Sequence, residues 1–417
     1  MIAEILSTGN EVLCGAVVDS NAAFIAQHLE EAGIEVRRHV CVGDDMDDLV
    51  AALTEIAGRA DVALMTGGLG PTGDDLTGEA VAKAAGVPLV FNEEAHQSVA
   101  AFFESRRGRI QDSDNKQAML PQGASCIVND VGSAPGFVTI IGNCRVFAMP
   151  GVPHEMKKMV KDFVLPYIGQ LETGARLHAA TRTVSVFGLP ESIVGQRIKP
   201  FNEVFPGLRY GIRVKFPEIY VKVTARLKDA AEAEKRVGQA AQWVSDAIGN
   251  PAFSMTGDSL EVETARLLKK VNATIAVAES CTGGLLADLL TSVPGSSAYF
   301  LLSAVTYANQ AKIDLLDVPA ATIEANGAVS EETAKAMAEG ARRIAGATYG
   351  IATSGIAGPD GGTEEKPVGT VCIGIATPEK TDAMRWQLSF QNRAMNKRIF
   401  AFVAIEALRQ ELLKAME

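Results

Sequence analysis

At 417 residues the chain exceeds the usual size of one domain, so more than one hydrophobic core is expected. Hydrophobic residues at 47% and charged residues at 21% exclude a disordered, fibrous or membrane-embedded class. A formal net charge of −11 is the wrong sign for a protein that holds nucleic acid by neutralising phosphates.

The first stretch alternates short β-branched runs with amphipathic helical ones: Ile2–Leu6, Asn21–Ala32, Ile34–Val42, Asp47–Arg59, Asp61–Met65 and Asp75–Ala85. This alternation predicts βαβ units around a parallel sheet, an α/β domain over residues 1–170. It closes with a strand Arg145–Met149 and a helix from His154 to Ile168, terminated at Leu171-Glu-Thr-Gly174. Residues 171–255 predict a small α+β unit, with strands Thr181–Phe187 and Ile219–Leu227 and helices Glu191–Ile198 and Ala230–Ile248. Its basic residues Arg209, Arg213, Lys215, Lys222, Arg226 and Lys228 read as a solvated strand face, since no G-x-x-G loop is there to clamp a nucleic-acid backbone. Pro251 to Gly257 reads as a linker. Beyond it, a second α/β domain is expected over 256–417, ending in strands Gly369–Thr377 and Met384–Phe390 and a helix from Arg398 to Lys414.

Six cysteines, at 14, 41, 126, 144, 281 and 372, form no C-x-x-C pair, so neither a zinc knuckle nor a disulfide framework is indicated and a reducing cytoplasm fits. The opening Met1-Ile-Ala-Glu-Ile lacks a signal peptide's basic and apolar regions. No apolar run approaches the roughly 18 residues that span a bilayer, so no membrane association is expected.

In the first domain, Thr66-Gly-Gly-Leu-Gly-Pro-Thr-Gly-Asp-Asp75 follows a buried strand and opens a helix, the place in an α/β sheet where phosphates meet helix amides. Gly67, Gly68 and Gly70 permit close backbone approach, and Thr72 adds a hydroxyl. Of Asp74 and Asp75, one can cap the helix while the other holds a divalent cation, the plain alternative being a tight turn with a capping aspartate. Thr8-Gly-Asn-Glu11 and Val18-Asp-Ser-Asn21 belong at the same edge, with Glu11 and Asp19 as metal or ribose contacts. Lys116 offers a cation to a diphosphate, and Pro150-Gly-Val-Pro-His-Glu155 adds a carboxylate.

Together with Asn115-Lys-Gln-Ala, these runs resemble the competence/damage-inducible CinA proteins, whose N-terminal domain is similar to molybdopterin-binding enzymes of the MogA/MoaB type. The resemblance implies an ADP-ribose pyrophosphatase that uses cobalt, manganese or magnesium, with potassium. It implies Asp74, Asp75, Glu11 and Glu155 as metal ligands, with Asn21, Gly67, Gly68, Gly70, Thr72 and Lys116 binding substrate. Asn10 stands where the family often has Asp.

In the C-terminal domain, Ala276-Val-Ala-Glu-Ser-Cys-Thr-Gly-Gly places Ser280 at a strand-to-helix turn, where following amides such as those of Thr282 and Gly283 can hold an oxyanion. Cys281 is the competing nucleophile, and a serine N-cap is the structural alternative. No histidine follows His178, so a Ser-His-Asp triad within this domain is excluded and the base must be lysine, tyrosine or a carboxylate. Tyr307 and Lys312 in Tyr307-Ala-Asn-Gln-Ala-Lys312 can return to the same sheet edge, with an exposed helix lysine as the plain reading of Lys312. A long glycine-rich loop, Thr353 to Gly369, offers amides to an anionic group, and Arg393 and Arg398 can pair a phosphate.

Ala278-Glu-Ser-Cys-Thr-Gly-Gly, Tyr307-Ala-Asn-Gln-Ala-Lys, Gly327-Ala-Val-Ser-Glu-Glu-Thr and Ser354-Gly-Ile-Ala-Gly-Pro-Asp-Gly-Gly resemble the CinA C-terminal domain, of the PncC type. The resemblance implies an amidase that converts nicotinamide mononucleotide to nicotinic acid mononucleotide and ammonia without a metal. Ser280 would be its nucleophile, with Tyr307 and Lys312 assisting. Glu279, Thr282, Gly283, Gly284, Asn309, Gly355, Gly358, Asp360, Gly361 and Arg393 would bind substrate. Phe390-Gln-Asn-Arg393 is one residue shorter than the family's F-x-G-D-R. The middle unit is similar to the family's KH-like domain, and a homodimer is implied. Two other readings stay open: a first domain that only binds a nucleotide or pterin and regulates the amidase, and a scaffold of the competence or DNA-damage response.

Overall fold

A computed structural model describes residues 1–106, 112–171, 178–388, 390 and 392–416. The expected helix stop at Glu172-Thr-Gly174 and Gln391 of the shortened motif lie outside them. The chain forms two compact units, residues 1–181 with 225–236 and residues 182–224 with 237–417. Among the described residues no helix is long and apolar enough to cross a membrane.

In the first unit, β1 (Ile2–Thr8), β2 (Glu35–Val42), β3 (Val62–Thr66) and β8 (Cys144–Met149) run parallel, in the order β2-β1-β3-β8. β4 (Leu89–Phe91) and β5 (Met119–Pro121) pair with each other apart from this sheet. β6 (Ser125–Ile127) and β7 (Gly136–Ile141) extend it antiparallel beyond β8. All five residues of β3 are buried, as in a strand covered on both faces. One face is covered by the helix Ser20–Glu31 through Ala22, Ile25 and Leu29, and the other by Met46–Ala57 through Leu49, Leu53 and Ile56. Both sets have the three- and four-residue spacing of one helical stripe. Each helix starts where an aspartate caps it: Asp19 accepts from the Ala22 amide at 2.9 Å, and Asp45 from those of Asp47 and Asp48.

A second, four-stranded sheet has the order β10-β11-β9-β12, from β9 (His178–Val186), β10 (Arg209–Lys215), β11 (Glu218–Leu227) and β12 (Ala252–Ser254). The segment 251–257 is therefore not simply a linker. It contributes an edge strand whose Phe253 is buried among the apolar side chains of the second unit. The basic stretch lies on the β10/β11 hairpin, where Arg209, Arg213, Lys215 and Lys222 are exposed and Arg226 pairs with Glu30.

The C-terminal sheet has the order β14-β13-β15-β16-β17, from β13 (Ile275–Glu279), β14 (Phe300–Val305), β15 (Tyr349–Gly355), β16 (Thr370–Ala376) and β17 (Thr381–Gln387). The first three are parallel and the last two antiparallel. A helical crossover takes β13 to β14 on one side and a second takes β14 to β15 on the other, so the strand order reverses at the C-terminal end of β13, the position at which open α/β sheets bind ligands. The final helix spans Arg393–Lys414 and begins five residues earlier than expected, because Asn392 caps it by accepting from the Ala394 and Met395 amides.

Candidate functional site

In the first unit, a cleft of about 420 Å³ opens at the C-terminal ends of β1, β3 and β8. Its glycine-rich floor depends on backbone that other residues rarely adopt: Gly67 and Gly68 have φ of 108° and 63°. A Cβ on Gly67 would stand 2.5 Å from the Thr8 carbonyl oxygen. Neither Asp74 nor Asp75 caps the helix that follows, which starts at Thr77 without a side-chain cap. Both instead close a turn on Thr72. Its hydroxyl lies 2.5 Å from an oxygen of each, and its amide donates to Asp75 at 2.9 Å. The Thr72 hydrogen bond, helped by the nearby Lys116 charge, holds the Asp74 carboxyl below its ordinary range.

Glu11, Asp74, Asp75 and Glu155 all line this cleft, together with Gly67, Gly68, Gly70 and Asn21. Glu155 is buried and accepts from Asn129 at 2.7 Å. Thr72 spends its donors on the aspartates, and Lys116, outside the lining of this cleft, donates to the Thr72 carbonyl at 2.9 Å and lies 3.6 Å from Glu79. The expected cation for a diphosphate is thus a brace for the loop and not part of the cleft lining. Asp44, unmarked in the sequence reading, lines the cleft and accepts from the Thr8 hydroxyl and the Asn10 amide. Asn10 returns a bond to the Asp44 amide. The only available signal was its place after β2, at the shared sheet edge.

The described lining residues include six carboxylates (Glu11, Asp19, Asp44, Asp74, Asp75, Glu155) and no Lys, Arg or His. Three buried polar atoms of the lining, Ser7 Oγ, Asn21 Oδ1 and Gln117 Oε1, have no hydrogen-bond partner there. Asn21 is oriented by donating to Thr66 Oγ1 and the Gly151 carbonyl, which leaves Oδ1 as a committed acceptor. Among the described residues no three His, Cys, Asp or Glu side chains gather closely enough to hold a metal ion alone.

In the second unit, β13 ends at Glu279 and Ser280 lies in the turn beyond it, its amide bonded to the Thr353 carbonyl at 2.9 Å. Lys312 enters from the helix Asn309–Leu316 and is 1% exposed. Its Nζ lies 3.3 Å from Ser280 Oγ and donates to the carbonyls of Thr306 at 2.9 Å and Tyr307 at 3.2 Å. Burial lowers the Lys312 pKa from its ordinary value. A Cys281 thiolate would oppose this shift, but it is absent near neutrality, because burial pushes that thiol up to about 12. Cys281 packs in the apolar core and is not a competing nucleophile.

Two expectations at this turn change. The helix Leu285–Thr291 is capped by Glu279 and not by Ser280. The fully buried Glu279 carboxylate accepts from the amides of Gly284 at 2.9 Å, Leu286 at 3.0 Å and Ala287 at 2.9 Å, so its oxygens are occupied by the chain's own backbone. The Thr282 hydroxyl is likewise committed, to Thr353 at 2.7 Å. Thr282 is fully buried, so what this turn can offer a ligand is the exposed backbone of Gly283, and Gly283 and Gly284 hold the turn in the left-handed region, at φ 60° and 94°.

Tyr307 is 63% exposed, and its hydroxyl accepts from Arg393 Nη2 at 3.0 Å. Arg393 Nη1 donates to the Gly358 carbonyl at 2.6 Å, joining the glycine-rich loop to Tyr307. Asn309, Asp360 and Gly361 are exposed, and Gly355 ends β15. Arg398 does not join them. It donates to the Phe216 carbonyl and lies over the Phe402 ring. Lys397 was not singled out from the sequence, yet its Nζ reaches Gly283. Its position one turn after Arg393 was the available signal.

A glycine-rich acidic cleft on one doubly wound sheet and a buried serine–lysine pair on another give the chain two candidate sites, one in each α/β unit. A family model described as the CinA C-terminal domain matches residues 257–412, and one described as a probable molybdopterin binding domain matches residues 4–170. A CinA-like protein of Desulfosudis oleivorans is 63% identical over 413 residues, covering 99% of this chain and all of that one. Another, from Desulforapulum autotrophicum, is 48% identical over 98% of both chains. Among solved structures, the protein CinA of Thermoplasma acidophilum, titled as of unknown function, is 35% identical, with a TM-score of 0.37, and matches 39% of this chain and 95% of that one. The chain belongs to the CinA family, with a MogA/MoaB-like N-terminal domain and a CinA C-terminal domain.

Proposed function

We propose that the second unit hydrolyses the carboxamide of nicotinamide mononucleotide, giving nicotinic acid mononucleotide and ammonia. The observation that carries this reading is the 3.3 Å approach of Lys312 Nζ to Ser280 Oγ, with the lysine buried and its pKa lowered. A neutral Lys312 takes the Ser280 proton as Oγ attacks the carboxamide carbon. The pyridinium ring withdraws electrons from that carbonyl, and the exposed Gly283 amide receives the developing oxyanion. Lys312 then returns the proton to the departing nitrogen, ammonia leaves, and water releases the acid from the acyl-serine. The carbonyls of Thr306 and Tyr307 hold Nζ in place through the cycle.

We infer that the first unit cleaves the diphosphate of ADP-ribose with a divalent cation. Hard cations take oxygen ligands, and the cleft offers six carboxylates and two unpartnered amide oxygens, so its donor chemistry fits. Asp74 and Asp75 would hold the ion, with Glu11 and Glu155 in the same lining. When bound, the ion supplies the positive charge that a diphosphate needs in a cleft without basic side chains. The chain itself fixes the two aspartates through Thr72 and keeps the loop close to β1 through Gly67.

Ammonia release from the mononucleotide and cleavage of ADP-ribose, each measured with and without excess chelator, test the two assignments. The amidase is expected to be unaffected, while ADP-ribose cleavage falls to background in chelator and by about a hundredfold or more in Asp74→Asn. Ammonia release that needs a metal overturns the serine–lysine reading. ADP-ribose left intact under all metal conditions leaves the first unit as a binding domain.

A further inference from the structure

The first turns of the helix Arg393–Lys414 bring two cations to the Ser280 turn, and their situations differ. Arg393 is engaged with the Gly358 carbonyl and the Tyr307 hydroxyl, and Tyr307 in turn holds Lys312 through its carbonyl. Arg393 thus braces the walls of the site. Lys397, four residues on and on the same helix face, is half-buried and has no hydrogen-bond or ion-pair partner among the described residues. Its Nζ stands 3.4 Å from where a Gly283 side chain would begin, so the missing side chain leaves the ammonium beside the turn that carries Ser280. A partly desolvated ammonium without a counter-charge is an arrangement that an incoming anion stabilises.

We propose that Lys397 is the specificity-determining cation for the substrate's anionic end, pairing with a phosphate monoester while the carboxamide lies at Ser280. This rests on the amidase reading and deepens it: the enzyme would select the mononucleotide over its dephosphorylated nucleoside. Arg393 then acts as a positioning residue, orienting Tyr307 and the glycine-rich loop.

Two measurements on the full chain test it. The ratio of kcat/KM for the mononucleotide to that for the nucleoside is expected to fall roughly 10–100-fold in Lys397→Met, mainly through KM, and to recover in part in Lys397→Arg. An equal loss for both compounds, carried by kcat, overturns the proposal and moves Lys397 to the oxyanion. The second measurement needs no amidase activity: inorganic phosphate is titrated calorimetrically into Ser280→Ala and into Ser280→Ala/Lys397→Met. Weaker binding in the double variant supports the assignment even if the wild type releases no ammonia. Identical isotherms overturn it.

Discussion

Ser280→Ala is expected to lower ammonia release from nicotinamide mononucleotide by at least about a thousandfold, and Lys312→Met by a similar factor, because nucleophile and base act as one unit. The two losses should not add: the double variant is expected to be about as slow as either single one. Neither a histidine, absent after His178, nor the Glu279 carboxylate, occupied by three amides, can take over as base. The pH dependence has a definite sign. Lys312 must be neutral to accept the proton, so kcat/KM rises with pH through its pKa, which burial places below the ordinary lysine value. The same shift predicts a stability effect. The unfolded chain binds this proton more tightly than the folded one. The contribution is complete above the unfolded pKa of about 10.4 and is lost as pH falls through the lowered folded value. Lys312→Met should remove that slope, as read from denaturant midpoints across the alkaline range. A Lys312→Met enzyme that keeps more than a tenth of wild-type kcat, with an unchanged pH profile, would assign the base elsewhere.

The sheet ends that carry both sites were legible because parallel strands leave a strong local record. Ile2–Thr8 and Val62–Thr66 are apolar runs flanked by helical stripes, and each ends in a Thr-Gly pair. The Ser280 turn could be placed for the same reason, and the absence of histidine narrowed its base to very few residue types. What escaped was set by contacts distant in sequence. The role of Glu279 depends on amides five to eight residues ahead, and a carboxylate before a serine in a small-residue turn reads equally well as a substrate contact. Lys116 looked like a free cation until Thr72 and Glu79 were seen to hold it, 44 and 37 residues away in sequence. β12 was hidden in a Pro- and Gly-flanked segment because a three-residue edge strand has no periodicity to detect. Only its pairing with β9 reveals it. Lys312 is the instructive case, since an exposed helix lysine is the ordinary reading. Its helix has little amphipathic pattern, and the groups that receive it, Ser280 Oγ and the carbonyls of Thr306 and Tyr307, lie in the segments that follow β13 and β14.

Glu279→Ala is expected to cost the second unit about 3–4 kcal/mol, the largest stability effect in the Ser280 turn. It leaves three amide donors without an acceptor in a buried place, and hydrogen bonds to a charged group are worth about 1.5–3 kcal/mol each before relaxation. This buried carboxylate has no cationic partner among the described residues and is tolerated because it lies at a helix N-terminus, where the amide donors and the helix dipole compensate its charge. Glu279→Gln separates this role from a merely space-filling one. It preserves volume and one acceptor oxygen but turns an NH2 group toward an N–H that needs an acceptor. Hydrogen exchange at Gly284, Leu286 and Ala287 should therefore quicken in Glu279→Gln, with kcat falling as the Ser280–Gly284 turn loosens. The pH limb set by Lys312 should remain, because the 3.3 Å pair is built from a separate helix. Unchanged exchange at those three amides would mean that the carboxylate charge does not hold the turn. A shifted pH limb with unchanged exchange would mean that Glu279 acts on Lys312 instead, which would make it part of the proton-transfer machinery and not the support beneath it.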